Sequence, residues 1–221
     1  ERLLMIPDHF VFTADAMANR NIRIMREFAE AQSVPNFYDV GTPRYKGVCH
    51  IALAEDGHAR PGEILLGTDS HTVTAGAFGT MAIGVGNTDA AFAMGTGEAL
   101  LKVPSTIRVD IDGEMPPYLM AKDVILEVIR RLTTSGATYQ ALEFGGEAVD
   151  AMSIEERMTI CNMVVECGGK NGIMVPNEAT MRYLRERCGD EAVPEPVTPD
   201  ADAHYARRLH LDVTDMAPRV A

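Results

Sequence analysis

The densest run of reactive side chains in the sequence is Gly67-Thr68-Asp69-Ser70-His71-Thr72. A carboxylate, an imidazole and several hydroxyls follow directly on the apolar run Glu63–Leu66, which reads as a strand. In open α/β sheets the carboxyl end of a strand is where ligands bind. Asp69, Ser70 and His71 are therefore candidates for acid–base and hydrogen-bonding work, although the same residues also suit a polar turn capping the next helix. Ser70 lacks the G-x-S-x-G context of a hydrolase nucleophile. Asp8-His9 follows an earlier apolar run in the same way. A neighbouring carboxylate can hold an imidazole in one tautomer and raise its pKa, making it a better proton donor near neutral pH. Adjacent residues need not face one another, so a plain loop dipeptide is the alternative. His50 sits in the apolar run Val48–Leu53, read as a strand, where a satisfied core histidine is the commoner case. It gains chemical meaning if it meets Asp8 or Asp69 in space. Asn162 and Glu166 are spaced i, i+4 on an expected helix and so share a face, either aimed at a site or solvated.

These residues need elements to position them, and the pattern alternates strand and helix. Leu3–Ile6 and Phe37–Val40 read as strands, with a helix over Asp15–Gln32 whose stripe holds Met17, Ile24, Met25, Phe28 and Ala31. From Ala75 to about Leu101 a Gly- and Ala-rich region reads as helical, and so much glycine implies close backbone approach. Thr106–Asp112 alternates Ile107, Val109 and Ile111 with Arg108, Asp110 and Asp112, a half-buried strand. Helices are expected over Ala121–Leu132, Ser153–Cys167 and Ala179–Cys188, with Ser153 and Glu156 forming a capping box. Strands are expected over Tyr139–Phe144, Gly172–Val175 and His210–Thr214, and an acidic Pro-rich linker over Glu191–Ala201. The fold class is α/β, in two lobes divided near Pro104, 1–104 and 105–221.

Composition narrows the function. Thirty-two acidic against twenty basic residues give a net charge of −12 over 221 residues, which argues against nucleic-acid or anionic-membrane surfaces. No apolar run approaches the length of a membrane span. The first residues show no basic n-region or long h-region, so a cytoplasmic location is expected. Cys49, Cys161, Cys167 and Cys188 contain no C-x-x-C pair and are read as reduced and mostly buried. Gly95-Thr96-Gly97 lacks the third glycine of a dinucleotide fingerprint, and no P-loop occurs.

Taken together, these segments resemble the aconitase superfamily, and within it the branch of 3-isopropylmalate dehydratase and homoaconitase large subunits. The resemblance rests on Pro7-Asp8-His9, on Gly47-Val48-Cys49-His50, and on Gly67–Thr72 followed by Gly76-Ala77-Phe78-Gly79. It continues in Ala121-Lys122-Asp123, in Glu143-Phe144-Gly145-Gly146, and from Arg157 through Asn162 to Glu166. It implies three-layer α/β/α lobes and the reversible dehydration of a hydroxy di- or tricarboxylate by a [4Fe–4S] cluster acting as Lewis acid. By the same resemblance His9 is the acid that protonates the departing hydroxyl, with Asp8 as its partner. His50 and Asp69 form a second His–carboxylate pair, Ser70 and His71 line the substrate, and Asn162 and Glu166 stand near the cluster and its water.

Departures from the family pattern are equally informative. The S-C-T-N and C-x-x-C segments that hold the family's cluster do not occur in this sequence. The serine base and the substrate arginines belong to a swivelling domain or small subunit. Thr74 stands where some relatives carry Asn. The chain begins with Glu1 inside an apparent strand, and is expected to be an N-terminal portion of a longer hydro-lyase subunit, inactive alone. Isopropylmalate is the first-choice substrate, with homoaconitase and 2,3-dimethylmalate dehydratase chemistry as alternatives. A non-catalytic or RNA-binding relative is the reading from a different class.

Overall fold

The computed structural model describes residues 3–189 and 193–220. The chain is mixed α/β, its strands pair in parallel throughout, and it divides into two compact units, Glu1–His58 and Ala59–Ala221. Residues 191 and 192 of the linker expected at 191–201 lie outside the described residues; residues 193–206 carry neither helix nor strand.

In the first unit β1 (Leu4–Met5) pairs with β2 (Asn36–Phe37), and α1 (Ala16–Ala31) connects them. Asp15 caps α1 by accepting the Ala18 N–H at 2.7 Å. The apolar stripe anticipated on α1 is real, but Met17, Ile24 and Phe28 lie on its exposed side and only Ala29 is buried. The expected strand at Val48–Leu53 is instead a helix, α2 (Cys49–Glu55), which buries Ala52, Leu53 and Ala54. A short apolar run does not distinguish a strand from a buried helix by period, and Ala, Leu and Glu favour the helix.

The second unit holds a two-stranded sheet, β3 (Ile64–Gly67) with β4 (Met81–Gly84), and a four-stranded sheet. The latter runs β7-β6-β5-β8, from β5 (Thr106–Asp112), β6 (Ala141–Gly145), β7 (Asn171–Met174) and β8 (Arg207–Asp212). The alternation read for β5 is exact in burial, with Ile107, Val109 and Ile111 fully buried. The helical region expected from Ala75 to Leu101 is three elements: a 3-10 helix at Ser70–Phe78, then β4, then α3 (Asn87–Thr96), which buries none of its residues. Small residues lower helix propensity here because the chain must pass close to itself. A Cβ on Gly76 would lie 1.6 Å from the Gly172 carbonyl oxygen, so the 3-10 helix meets β7 backbone to backbone. A Cβ on Gly84 would lie 2.9 Å from the Asp69 carbonyl oxygen and from Ser70 Cα, which seats the Asp69-Ser70 turn on the end of β4.

Three more helices brace the large sheet. They are α4 (Ala121–Leu132), α6 (Ile154–Asn162) and α7 (Glu178–Cys188); the short α5 (Glu147–Ala151) was not anticipated. The capping box forms as expected: Ser153 N–H donates to Glu156 Oε2 at 2.8 Å, and Glu156 N–H to Ser153 Oγ at 3.3 Å. The continuation Met163–Cys167 is a 3-10 turn rather than more α-helix, closed by Gly168 at φ +82°. Arg157 on α6 is fully buried and donates to the carbonyls of Val149 (3.1 Å) and Val175 (2.6 Å), tying α6 to α5 and to the exit of β7. On α4, Glu127 is 1% exposed and accepts from Arg130 and Arg131, and Arg219 Nε lies 3.1 Å from its Oε2. Those three guanidinium contacts hold its carboxyl down to about 2: the Arg130 hydrogen bond is the largest cause, opposed by burial and joined by Arg131 and Arg219.

Candidate active site

The candidate residues fall into two groups, one in each unit. In the first unit Asp8 follows β1 and has its side chain 14% exposed. Its Oδ1 accepts from His9 Nδ1 at 2.7 Å, and its Oδ2 accepts the Cys49 N–H at 2.9 Å. Burial alone would push the Asp8 carboxyl up; hydrogen bonds from the Cys49 thiol and amide and from His9 outweigh it and leave the pKa lowered. Asp8 is thus a fixed anion that orients the exposed imidazole of His9 through Nδ1. His50 lies on the first turn of α2, beside Cys49, whose Sγ is 3.6 Å from His50 Nδ1. His50 therefore joins the Asp8 group through Cys49.

In the second unit Asp69 caps the Ser70–Phe78 helix by accepting the His71 N–H at 2.6 Å. Asp69 Oδ1 also lies 3.7 Å from His71 Nδ1, and Ser70 Oγ is 3.3 Å from the same nitrogen. The other ring nitrogen, Nε2, hydrogen-bonds Glu166 Oε1 at 3.1 Å, a contact between residues 95 apart in the chain. Asn162 Nδ2 donates to Thr74 Oγ1 at 2.9 Å, and Thr74 Oγ1 donates to the His71 carbonyl at 2.6 Å. Asp69, Ser70, His71, Asn162 and Glu166 accordingly converge, with Asn162 and Glu166 facing the same helix from an α–3-10 junction. Capping and chemistry are not rival roles for Asp69: one oxygen does the capping while the group stays beside the imidazole. Sequence reasoning missed Thr74, noted only as a departure. A hydroxyl three residues after a carbonyl it can reach is the local signal for this bond.

Chemically, both groups set an imidazole against a carboxylate: His9 against Asp8, and His71 between Asp69 and Glu166. That is the arrangement for donating and accepting protons at a reacting oxygen, with the carboxylate fixing the tautomer.

The cysteines in this chain do not suit an iron–sulfur cluster. Cys161 and Cys167 are fully buried. Burial pushes the Cys161 thiol up to about 12, and raises that of Cys167, whose Sγ donates to the Val164 carbonyl at 3.2 Å. Cluster ligation requires thiolates. Cys49 and Cys188 are half-buried, so two of the four thiols, rather than most, are core residues. Among the described residues no three His, Cys, Asp or Glu side chains are arranged to hold a metal ion.

A parallel α/β fold with a D-S-H turn set against an Asn–Glu face describes an aconitase-type domain, and a profile of the aconitase family (aconitate hydratase) matches residues 7–221. The chain belongs to the aconitase family. Among relatives, the chloroplastic 3-isopropylmalate dehydratase large subunit of Arabidopsis thaliana is 53% identical over 229 positions, covering all of this chain and 44% of that protein. The 3-isopropylmalate dehydratase large subunit 1 of Methanopyrus kandleri is 46% identical over 220 positions, covering all of this chain and 51% of that protein. A Methanothermobacter thermautotrophicus protein named "Probable methanogen homoaconitase large subunit" is 42% identical over 221 positions, covering all of this chain and 50% of that protein. The chain spans about half the length of the curated relatives it matches.

Proposed function

We propose that this chain is part of the large subunit of an aconitase-type hydro-lyase that isomerises a hydroxy dicarboxylate by dehydration and rehydration, with 3-isopropylmalate as substrate. The observation that carries this reading is the His71–Glu166 hydrogen bond at 3.1 Å, with Asp69, Ser70 and Asn162 around it. Identity of 42–53% to proteins named as large subunits of such dehydratases supports the substrate class.

In this reading His9, held by Asp8, gives its proton to the departing hydroxyl. His50 acts from the Asp8 group and Asp69 from the His71 group as further acid–base residues, and Ser70 and His71 hydrogen-bond the substrate. Glu166 takes up a proton from water in the site, with Asn162 as its neighbour. The serine base and the arginines that bind carboxylates come from a small subunit or swivelling domain. The family's [4Fe–4S] cluster is held by cysteines outside these 221 residues, and the isolated chain is inactive. The lobes 1–104 and 105–221 are the proposed layout in the assembled enzyme, with the acidic Pro-rich stretch in the second. Among the described residues no helix is long and apolar enough to cross a membrane, and we place the protein in the cytoplasm. Homoaconitase chemistry is the second reading, favoured by the 42% identity to the methanogen protein.

The test is a coupled assay of the full-length large subunit with its small subunit, comparing 3-isopropylmalate with homocitrate. Turnover of isopropylmalate with a preference of tenfold or more is the expected result. Preference for homocitrate installs the second reading, and turnover of neither removes the hydro-lyase assignment.

A further inference from the structure

We infer that Lys170 is an anion-binding residue of this site and receives one carboxylate of the substrate in a pocket beside Ser70. The inference rests on the hydro-lyase reading and adds to it a cation supplied by this chain.

A cavity of about 320 Å³ lies in the second unit, lined by Thr68, Ser70, Val85, Val165, Gly169 and Lys170 among others. That is the lower range of small-molecule pockets. Ser70 is the residue before His71, and Val165 the residue before Glu166, so the lining adjoins both members of the His71–Glu166 pair along the chain. Its lining holds hydroxyls, apolar side chains and one cation, and no carboxylate. The sequence has only four lysines against thirty-two acidic residues. Two of the four, Lys102 and Lys170, place Nζ 5.6 and 5.7 Å from the Tyr139 ring centroid, and this aromatic face steadies the Lys170 stem. Lys170 Nζ donates to the Gly84 carbonyl at 3.2 Å. An ammonium has three N–H donors, so two are left for a ligand. Among the described residues no carboxylate lies within ion-pair distance of Lys170, in contrast to Lys46, Arg26 and Arg108.

Charge favours a cation on this chain as well. The site otherwise presents the carboxyl groups of Asp69 and Glu166, and a dicarboxylate gains by meeting a cation beside them. A fixed ammonium beside Ser70 and Thr68 offers a charge-assisted hydrogen bond and two hydroxyl donors to one carboxylate, leaving the hydroxylated carbon toward His71.

The experiment uses the assembled enzyme, full-length large subunit with small subunit, and compares Lys170→Met, Lys170→Arg and wild type on 3-isopropylmalate. Lys170→Met is expected to raise KM about 10- to 100-fold with kcat within about threefold, because the lost contact is made equally in ground and transition states. Lys170→Arg is expected to restore KM to within about fivefold, since it keeps the charge. A second readout needs no variant: saturating isopropylmalate protects Lys170 of the wild-type enzyme from reductive methylation, read by mass spectrometry. An active Lys170→Met enzyme with unchanged KM overturns the inference, as does a methylation rate that substrate leaves unchanged. If Lys170→Met fails to assemble, the protection result decides. A wild-type enzyme that turns over no hydroxy acid removes the hydro-lyase reading, and this inference with it.

Discussion

Replacing Glu127 by Gln tests how much a buried carboxylate surrounded by arginines contributes to the fold. The carboxyl titrates at about 2 in the folded chain against 4.5 unfolded. A separation of about 2.5 units corresponds to roughly 3 kcal/mol at most. Two of the partners, Arg130 and Arg219, are 65% and 37% exposed, and solvent screens their share. The expected loss for Glu127→Gln is therefore about 1–2 kcal/mol at pH 7. The folded pKa is depressed, so the stabilisation is fully present above pH 4.5 and disappears as pH falls toward 2. At pH 3 about two-fifths of it remains. Equilibrium urea unfolding of both proteins, followed by far-ultraviolet circular dichroism at pH 7 and pH 3, reads the difference directly. A penalty that is the same at both pH values, or absent at pH 7, refutes the electrostatic account and leaves only packing.

Gly76→Ala must push the Ser70–Phe78 helix off β7. It should cost about 3 kcal/mol or more and lower the melting temperature by about 6–12 °C by differential scanning fluorimetry; an unchanged melting temperature contradicts the close approach. In the native chain Cys49 and Cys188 should react with Ellman's reagent, while Cys161 and Cys167 react only after denaturation; four fast thiols would show the buried pair is accessible. In the assembled enzyme His71→Ala and Glu166→Gln should each lower kcat by roughly 10²–10⁴, with the double variant no worse than the poorer single one. Variants within threefold of wild type would take the pair out of the chemistry.

Elements whose period is long and unambiguous were readable from sequence: β5 by strict alternation, α4 by its stripe, α6 by Ser153 and Glu156. What failed was short or tertiary in origin. Six apolar residues at Val48–Leu53 carry too little period to separate helix from strand. In the region after Ala75, Gly76 and Gly79 lie against β7 and its exit, and contact partners a hundred residues away leave no local signal. The site divides in the same way. Asp8 with His9, and Asp69 with Ser70 and His71, are neighbours in sequence and legible as clusters. The His71–Glu166 hydrogen bond is not legible from spacing, and only the family resemblance put both residues in one set. Thr74 was overlooked because a hydroxyl's partner depends on which carbonyl the turn presents.

The contact of Gly76 with the Gly172 carbonyl has a consequence for how this site can change over time. His71 is carried on a segment that meets β7 main chain to main chain at Gly76. Asp69, as its cap, and Thr74, bonded to the His71 carbonyl and to Asn162, belong to that frame, whereas the Ser70 side chain can be exchanged without unseating it. The frame itself has no slack, since at Gly76 even one methyl group is too much. Change at this site is confined to side chains outside that frame, while Gly76 is held by the Gly172 carbonyl and Gly172 by the Val164 side chain.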